Sequence, residues 1–127
     1  MNAFEDSGKT QLSVMQVDGS DISKYGVVKV NKDSGAVISL IEKPEFKDAP
    51  SNLASIGRYV LRPDIFDILR NQSAGSGGEI QLSDAIDIQA KKSNVNFSIL
   101  NAKRFDCGDV RGYINAIKYI ATRDGIF

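Results

Sequence analysis

The sequence predicts an α/β fold: a mixed β-sheet with flanking helices. Three observations carry that prediction. Short runs rich in β-branched residues recur with turn chemistry between them, and helical periodicity appears in separate stretches. At least two strands are joined by a hairpin rather than by a helix, so the sheet cannot be purely parallel.

Taken in order, Met1 to Thr10 reads as the tail of a helix ending near Gly8, and Gln11 to Gln16 as a strand with Leu12, Val14 and Met15 as its apolar content. Tyr25-Gly26-Val27-Val28-Lys29-Val30 reads as a second strand. The cluster Asn31-Lys32-Asp33-Ser34-Gly35 supplies turn chemistry, and Ala36 to Glu42 returns as the other arm of a hairpin. Pro44 stops that arm because it has no N–H to give the ladder. After the polar stretch Glu45 to Asn52, Ser55 to Leu61 forms the next strand. Gly57 inside it marks a bulge or the close approach of a ligand.

Pro63 suits the first position of a short helix whose core face is Ile65, Phe66 and Leu69. Ser73 to Gly78 is a flexible Gly/Ser loop. It is not a phosphate loop, since no Lys-Ser or Lys-Thr follows it. Ser83 can cap a second helix running to about Lys92, with Ile86 and Ala90 inward. Asn96 to Leu100 is another short strand, and Val110, Tyr113, Ile114, Ile117 and Ala121 trace a helical stripe. No repeat or linker interrupts the chain, so residues 1–127 form one continuous domain. It opens on a helix remnant and offers no Gly-rich, phosphate-cradling turn after a first strand, as though entered midway.

Composition narrows the chemistry. Sixteen basic residues balance sixteen acidic ones, giving a net charge of zero and a pI of about 6.2. A nucleic-acid binder needs a basic excess against the phosphate backbone, so no nucleic-acid partner is expected. The absence of a membrane-length apolar run excludes a membrane partner of the spanning kind. With one cysteine, Cys107, no intrachain disulfide can form, which fits a reducing cytoplasm. With no histidine as well, the usual zinc sites and imidazole acid–base chemistry are excluded. What remains is carboxylates, lysines, backbone groups and a hard metal ion.

Two short constellations could use those groups. Glu42-Lys43-Pro44 places an acid and a base at a strand end, where adjacent side chains point to opposite faces. A carboxylate there can accept from sugar hydroxyls and an ammonium can hold a phosphate. Taken alone, the tripeptide reads first as a solvated strand end. Asp106-Cys107-Gly108-Asp109 lies between a strand and a helix, where open α/β sheets place ligands. Asp109 reads as the cap of the last helix; Asp106 is either a turn residue or a Mg²⁺ ligand. Cys107 has no histidine to activate it and reads as a packed thiol.

In order along the chain, these blocks form a pattern. They are Tyr25-Gly26-Val27-Val28; Ile41-Glu42-Lys43-Pro44; Ala49-Pro50-Ser51-Asn52-Leu53-Ala54; Ile56-Gly57-Arg58-Tyr59-Val60-Leu61; the stretch Gly77 to Ile86; and Arg104-Phe105-Asp106-Cys107-Gly108-Asp109. Together they resemble the bacterial UTP–glucose-1-phosphate uridylyltransferases from about Phe4 to the last helix. Tyr-Gly-Val and Glu-Lys-Pro are shared with the related thymidylyltransferases, whereas Arg58-Tyr59 and Asp-Cys-Gly-Asp favour the uridylyl branch.

The resemblance implies the C-terminal part of a nucleotide-diphospho-sugar transferase, Rossmann-like fold. It implies transfer of a uridylyl group from UTP to glucose 1-phosphate, giving UDP-glucose and pyrophosphate, with Mg²⁺ as cofactor. By resemblance, Gly26 offers its backbone to the sugar, Glu42 meets the glucose hydroxyls, and Lys43 is the catalytic lysine on the sugar-attached phosphate. Tyr59 and Gln81 lie near the hexose, and Asp106 is one of two aspartates on the metal. The family's opening Gly-rich segment and first metal aspartate have no counterpart in these residues, so residues 1–127 are expected to be the sugar-phosphate-binding half, inactive alone. A surface normally covered by the other half would lie bare and favour a homo-oligomer. The alternatives are a non-catalytic sugar-phosphate-binding or assembly module and a fragment of a glucose-1-phosphate thymidylyltransferase.

Overall fold

The computed structural model describes residues 2–75 and 78–126. Helix α1 (Asn2–Ser7) ends at Gly8, whose φ of 62° is the left-handed geometry that closes a helix cheaply only at glycine. Strands β1 (Thr10–Gln16), β2 (Gly26–Asn31), β3 (Ala36–Glu42), β4 (Leu53–Val60) and β5 (Val95–Ile99) follow the predicted segments to within two residues. Helices α2 (Ile65–Asn71) and α3 (Leu82–Lys91) separate β4 from β5, and α4 (Val110–Arg123) ends the chain. Of the expected Gly/Ser loop, Ser76 and Gly77 lie outside the described residues.

The strand order is β1-β4-β2-β3-β5, and β5 returns to β1 so that the sheet closes on itself. The sheet is mixed, as predicted. The β1–β5 ladder is parallel, from Thr10 opposite Val95 to Val14 opposite Ile99; the other pairings are antiparallel. The Asn31–Gly35 turn joins β2 and β3. The Asn31 carboxamide oxygen accepts from the amides of Asp33 and Ser34, which explains why an asparagine opens that turn.

The core lies between the sheet and α3. Leu12, Val14, Val28, Val37 and Leu40 from the strands meet Ile65, Ala85, Ile86 and Ala90 from the helices, each buried. Full burial of one such aliphatic side chain contributes about 1.5–3 kcal/mol. A part-buried hydrogen bond pins the layers together: the Leu40 amide donates to Asp87 Oδ1 at 2.9 Å, so β3 is tied to α3 at the margin of the core.

Three expectations need correction. Ser83 does not cap α3; the cap position is Gln81, and Ser83 Oγ is buried with no hydrogen-bond partner. Phe66 is not a core residue of α2. It is 61% exposed, because α2 starts two residues after Pro63 and this rotates Ile65 inward with Ile68 and Leu69 beside it. Cys107 is exposed rather than packed.

The stripe on α4 forms as the periodicity predicts, but apart from Ala121 it is left uncovered among the described residues. Tyr113, Ile114, Ile117 and Ile120 are each at least 41% exposed. The helix is attached chiefly through the loop before it. Tyr119 meets Phe105 at 5.3 Å between ring centroids, and the Lys103 ammonium sits 4.6 Å above the Tyr119 ring.

Candidate functional site

The site begins with a glycine that makes room for an acid. Gly26 opens β2 between two partners, pairing with Glu42 on β3 and Ser55 on β4. A Cβ built on Gly26 would stand 3.0 Å from Glu42 Oε2 and 3.2 Å from Leu40 Cδ1. The bare backbone therefore gives the Glu42 carboxylate its seat. That half-buried carboxylate makes no hydrogen bond or ion pair among the described residues and lines a cavity of about 230 Å³.

Other polar groups converge on the same cavity. Ser55 donates to the Tyr59 hydroxyl at 3.4 Å, so two hydroxyls from β4 share one wall. The unpartnered Ser83 hydroxyl enters from the first turn of α3. Arg104 closes another side, its Nη1 donating to the Tyr25 hydroxyl at 3.0 Å while the guanidinium lies 5.0 Å from the centre of that ring. Lys24 completes the rim, its pKa raised by a hydrogen bond and charge attraction from Asp21, 2.7 Å away. An acceptor-only carboxylate, three hydroxyls and two cations suit a polyhydroxylated ligand that carries negative charge.

A bulge sets the β4 wall. Leu12 pairs with Tyr59 but Val14 pairs with Ser55, so residues 56–58 of β4 stand opposite Ser13 alone. Gly57 sits within the bulge at φ 72°, the left-handed conformation that glycine adopts without strain. The bulge predicted from Gly57 is present, and it turns Ile56 and Tyr59 toward the cavity.

Of the residues singled out in the sequence, Gly26, Glu42 and Tyr59 meet here. Lys43 does not line the cavity. It follows β3 at φ 43°, a left-handed conformation rare for a lysine, held by its amide donating to the Tyr25 carbonyl at 3.1 Å. Its side chain is exposed and has no carboxylate partner among the described residues. Gln81 sits at the start of α3 with its amide nitrogen 3.5 Å from Glu79 Oε2, outside the cavity lining.

Asp106 is exposed in the loop before α4, Oδ1 accepting from the Gly108 amide at 2.9 Å. Asp109 caps α4 as predicted, its Oδ1 accepting from the Gly112 amide at 2.8 Å. Among the described residues no three potential metal-holding side chains gather. One exposed carboxylate with Oδ2 unused could supply one protein ligand of a Mg²⁺, the other ligands coming from outside the described residues.

Sequence reasoning did not single out Ser55, Ser83, Lys24 or Arg104 as site residues. Arg104 stands two residues before Asp106, a spacing that could have drawn notice. Ser55 and Ser83 carry no local signal, since only the strand pairing and the start of α3 bring them together.

The sequence profile of the nucleotidyl transferase family matches residues 1–123. Among curated proteins, UTP–glucose-1-phosphate uridylyltransferase 1 of Staphylococcus saprophyticus is 40% identical over 98% of this chain and 44% of its own length. A solved UDP-glucose pyrophosphorylase in complex with UDP-glucose superposes with a TM-score of 0.87 at 38% identity, covering 96% of this chain and 48% of that one. A glucose-1-phosphate thymidylyltransferase structure from Bacillus anthracis shares the fold, with a TM-score of 0.74 at 20% identity. The chain thus spans less than half the length of these relatives.

Proposed function

Because this chain belongs to the nucleotidyl transferase family, we propose that it provides the sugar-phosphate-binding part of an enzyme that transfers a uridylyl group from UTP to glucose 1-phosphate. The products would be UDP-glucose and pyrophosphate. The observation that carries this reading is the free Glu42 carboxylate seated over Gly26 in a cavity walled by the Ser55, Tyr59 and Ser83 hydroxyls.

In this reading Glu42 accepts hydrogen bonds from the hexose hydroxyls, and the Gly26 backbone lies against the ring. Tyr59 bounds the sugar, and Gln81 acts from the start of α3. Lys43 holds the sugar-attached phosphate and steadies its charge as its oxygen attacks the α-phosphorus of UTP in line. Such a transfer needs positioning and charge stabilisation rather than a protein nucleophile. Asp106 would ligate Mg²⁺, which when bound supplies charge neutralisation on the phosphates. The residues that hold UTP are expected from a Gly-rich segment that these 127 residues do not contain. Alone, they bind glucose 1-phosphate without turnover.

Two further parts belong to the proposal. The exposed α4 stripe favours self-association, and with it the second reading, an assembly module. The single thiol, without a disulfide partner, suits a reducing cytoplasm.

Titration with glucose 1-phosphate and galactose 1-phosphate tests the reading. The chain should bind the first, and Glu42→Ala should weaken binding at least about tenfold and erode discrimination between the epimers. Unchanged affinity in Glu42→Ala would sink it. Pyrophosphate release at rates on the order of 1–10³ per second from this chain would overturn the division of labour.

A further inference from the structure

Beside the Glu42 cavity lies a larger one, about 520 Å³, that shares two walls with it, Ile56 and Arg104. Three cations line it: Arg58, Lys103 and Arg104. None of them pairs with a carboxylate among the described residues, in a chain whose net charge is zero. Like charges brought together without counter-charges repel one another, and the fold tolerates this only where something else benefits.

Two of the cations are also held in place. Arg104 is held by its hydrogen bond to the Tyr25 hydroxyl and by stacking on that ring, which leaves most of its five N–H donors uncommitted. Lys103 is steadied over the Tyr119 ring. Arg58 projects from the β4 bulge that Gly57 permits. Ile56, Leu100 and Phe105 supply the apolar part of the remaining wall, and the three cations stay exposed to solvent. Guanidinium forks match phosphate oxygens in pairs, whereas hydroxyl ligands would leave three charges unanswered.

We propose that Arg58, Lys103 and Arg104 form a diphosphate-binding subsite next to the Glu42 cavity. Its ligand is free pyrophosphate or the diphosphate of a nucleotide. The assignment of this diphosphate to the reaction rests on the proposed function; the subsite itself rests on the cations. Arg104, common to both cavities, links the two occupants.

The test is isothermal titration of the 127-residue chain with pyrophosphate, inorganic phosphate, UDP-glucose and glucose 1-phosphate in turn. Pyrophosphate should bind with a Kd of about 1 mM or tighter, ahead of inorganic phosphate. The triple variant Arg58→Gln/Lys103→Gln/Arg104→Gln should bind it at least tenfold more weakly, and Arg70→Gln, on the exposed face of α2, within twofold of wild type. Should the triple variant fail to fold, Arg58→Gln and Lys103→Gln singly should each weaken binding about threefold. Glu42→Ala should leave pyrophosphate untouched while weakening glucose 1-phosphate. If the triple variant also weakens UDP-glucose, the diphosphate belongs to the nucleotide sugar; if it does not, the ligand is free pyrophosphate. Pyrophosphate binding without glucose 1-phosphate binding keeps the subsite and sinks the sugar assignment. No saturation by pyrophosphate, or saturation unaltered by removing the three charges, overturns the subsite.

Discussion

Gly26 and Glu42 face each other across the β2–β3 ladder, and the hydrogen atom where Gly26 lacks a side chain is what seats the Glu42 carboxylate over the strand. A methyl group added there would press on both that carboxylate and Leu40. Gly26→Ala is therefore expected to cost about 1–3 kcal/mol of stability by overpacking and to displace Glu42. Adding Glu42→Ala should recover part of the loss, a coupling of about 0.5–3 kcal/mol in a double-mutant cycle by urea denaturation. Additive effects would mean that the two positions do not share space.

Gly112 gives a test of sign. As the third residue of α4 it weakens the helix, and replacement by alanine should stabilise an exposed helix by about 1 kcal/mol. Here a Cβ would run into the carbonyl oxygen of Asp106. Gly112→Ala is expected to lower stability, by about 1–3 kcal/mol, and to broaden the amide signals of residues 106–109. A rise in Tm would show that the 106–109 loop does not press on α4.

Lys43 should show a trade between stability and binding. Its left-handed backbone costs a lysine about 1–2 kcal/mol and a glycine almost nothing, while glycine gains unfolded-state entropy. Lys43→Gly is thus expected to raise stability by about 0.5–1 kcal/mol, or roughly 2–5 °C in Tm, and to weaken glucose 1-phosphate binding about tenfold or more. Unchanged binding would remove the lysine from the site, whatever the melt shows.

On α4, the exposed stripe should drive the chain to associate. Multi-angle light scattering is expected to give a dimer or larger, and Ile117→Glu should return it to monomer with stability altered by no more than about 0.5 kcal/mol. A monomeric wild type at high concentration would leave α4 without a partner of its own kind.

The strands and helices were legible in the sequence because they depend on local signals. β-branched runs, the Asn31–Gly35 turn, Gly57 and Asp109 each act within a few residues. Glu42 and Tyr59 were legible through short blocks. Burial was less so: Phe66 and Ile65 are neighbours in an apolar run, and only the start of α2 decides which one enters the core. Ser83 looked like a cap because serine often is one. Its true position, buried over the Glu42 cavity, follows from the helix beginning two residues earlier. Arg104 could be read as a member of a block but not as a wall of two cavities, because its place depends on Tyr25, far away in the chain.

The parallel β1–β5 ladder also has a consequence for biosynthesis. Thr10 leaves the ribosome 85 residues ahead of its partner Val95. At synthesis rates of about 5–20 residues per second, β1 waits several seconds for the strand that closes the sheet. During that time Leu12 and Val14, both fully buried in the finished fold, lack the β5 side of their shelter. Closure is then a late, long-range event of the slow kind that high contact order imposes. The nascent chain cannot complete its sheet until Ile99 has left the exit tunnel.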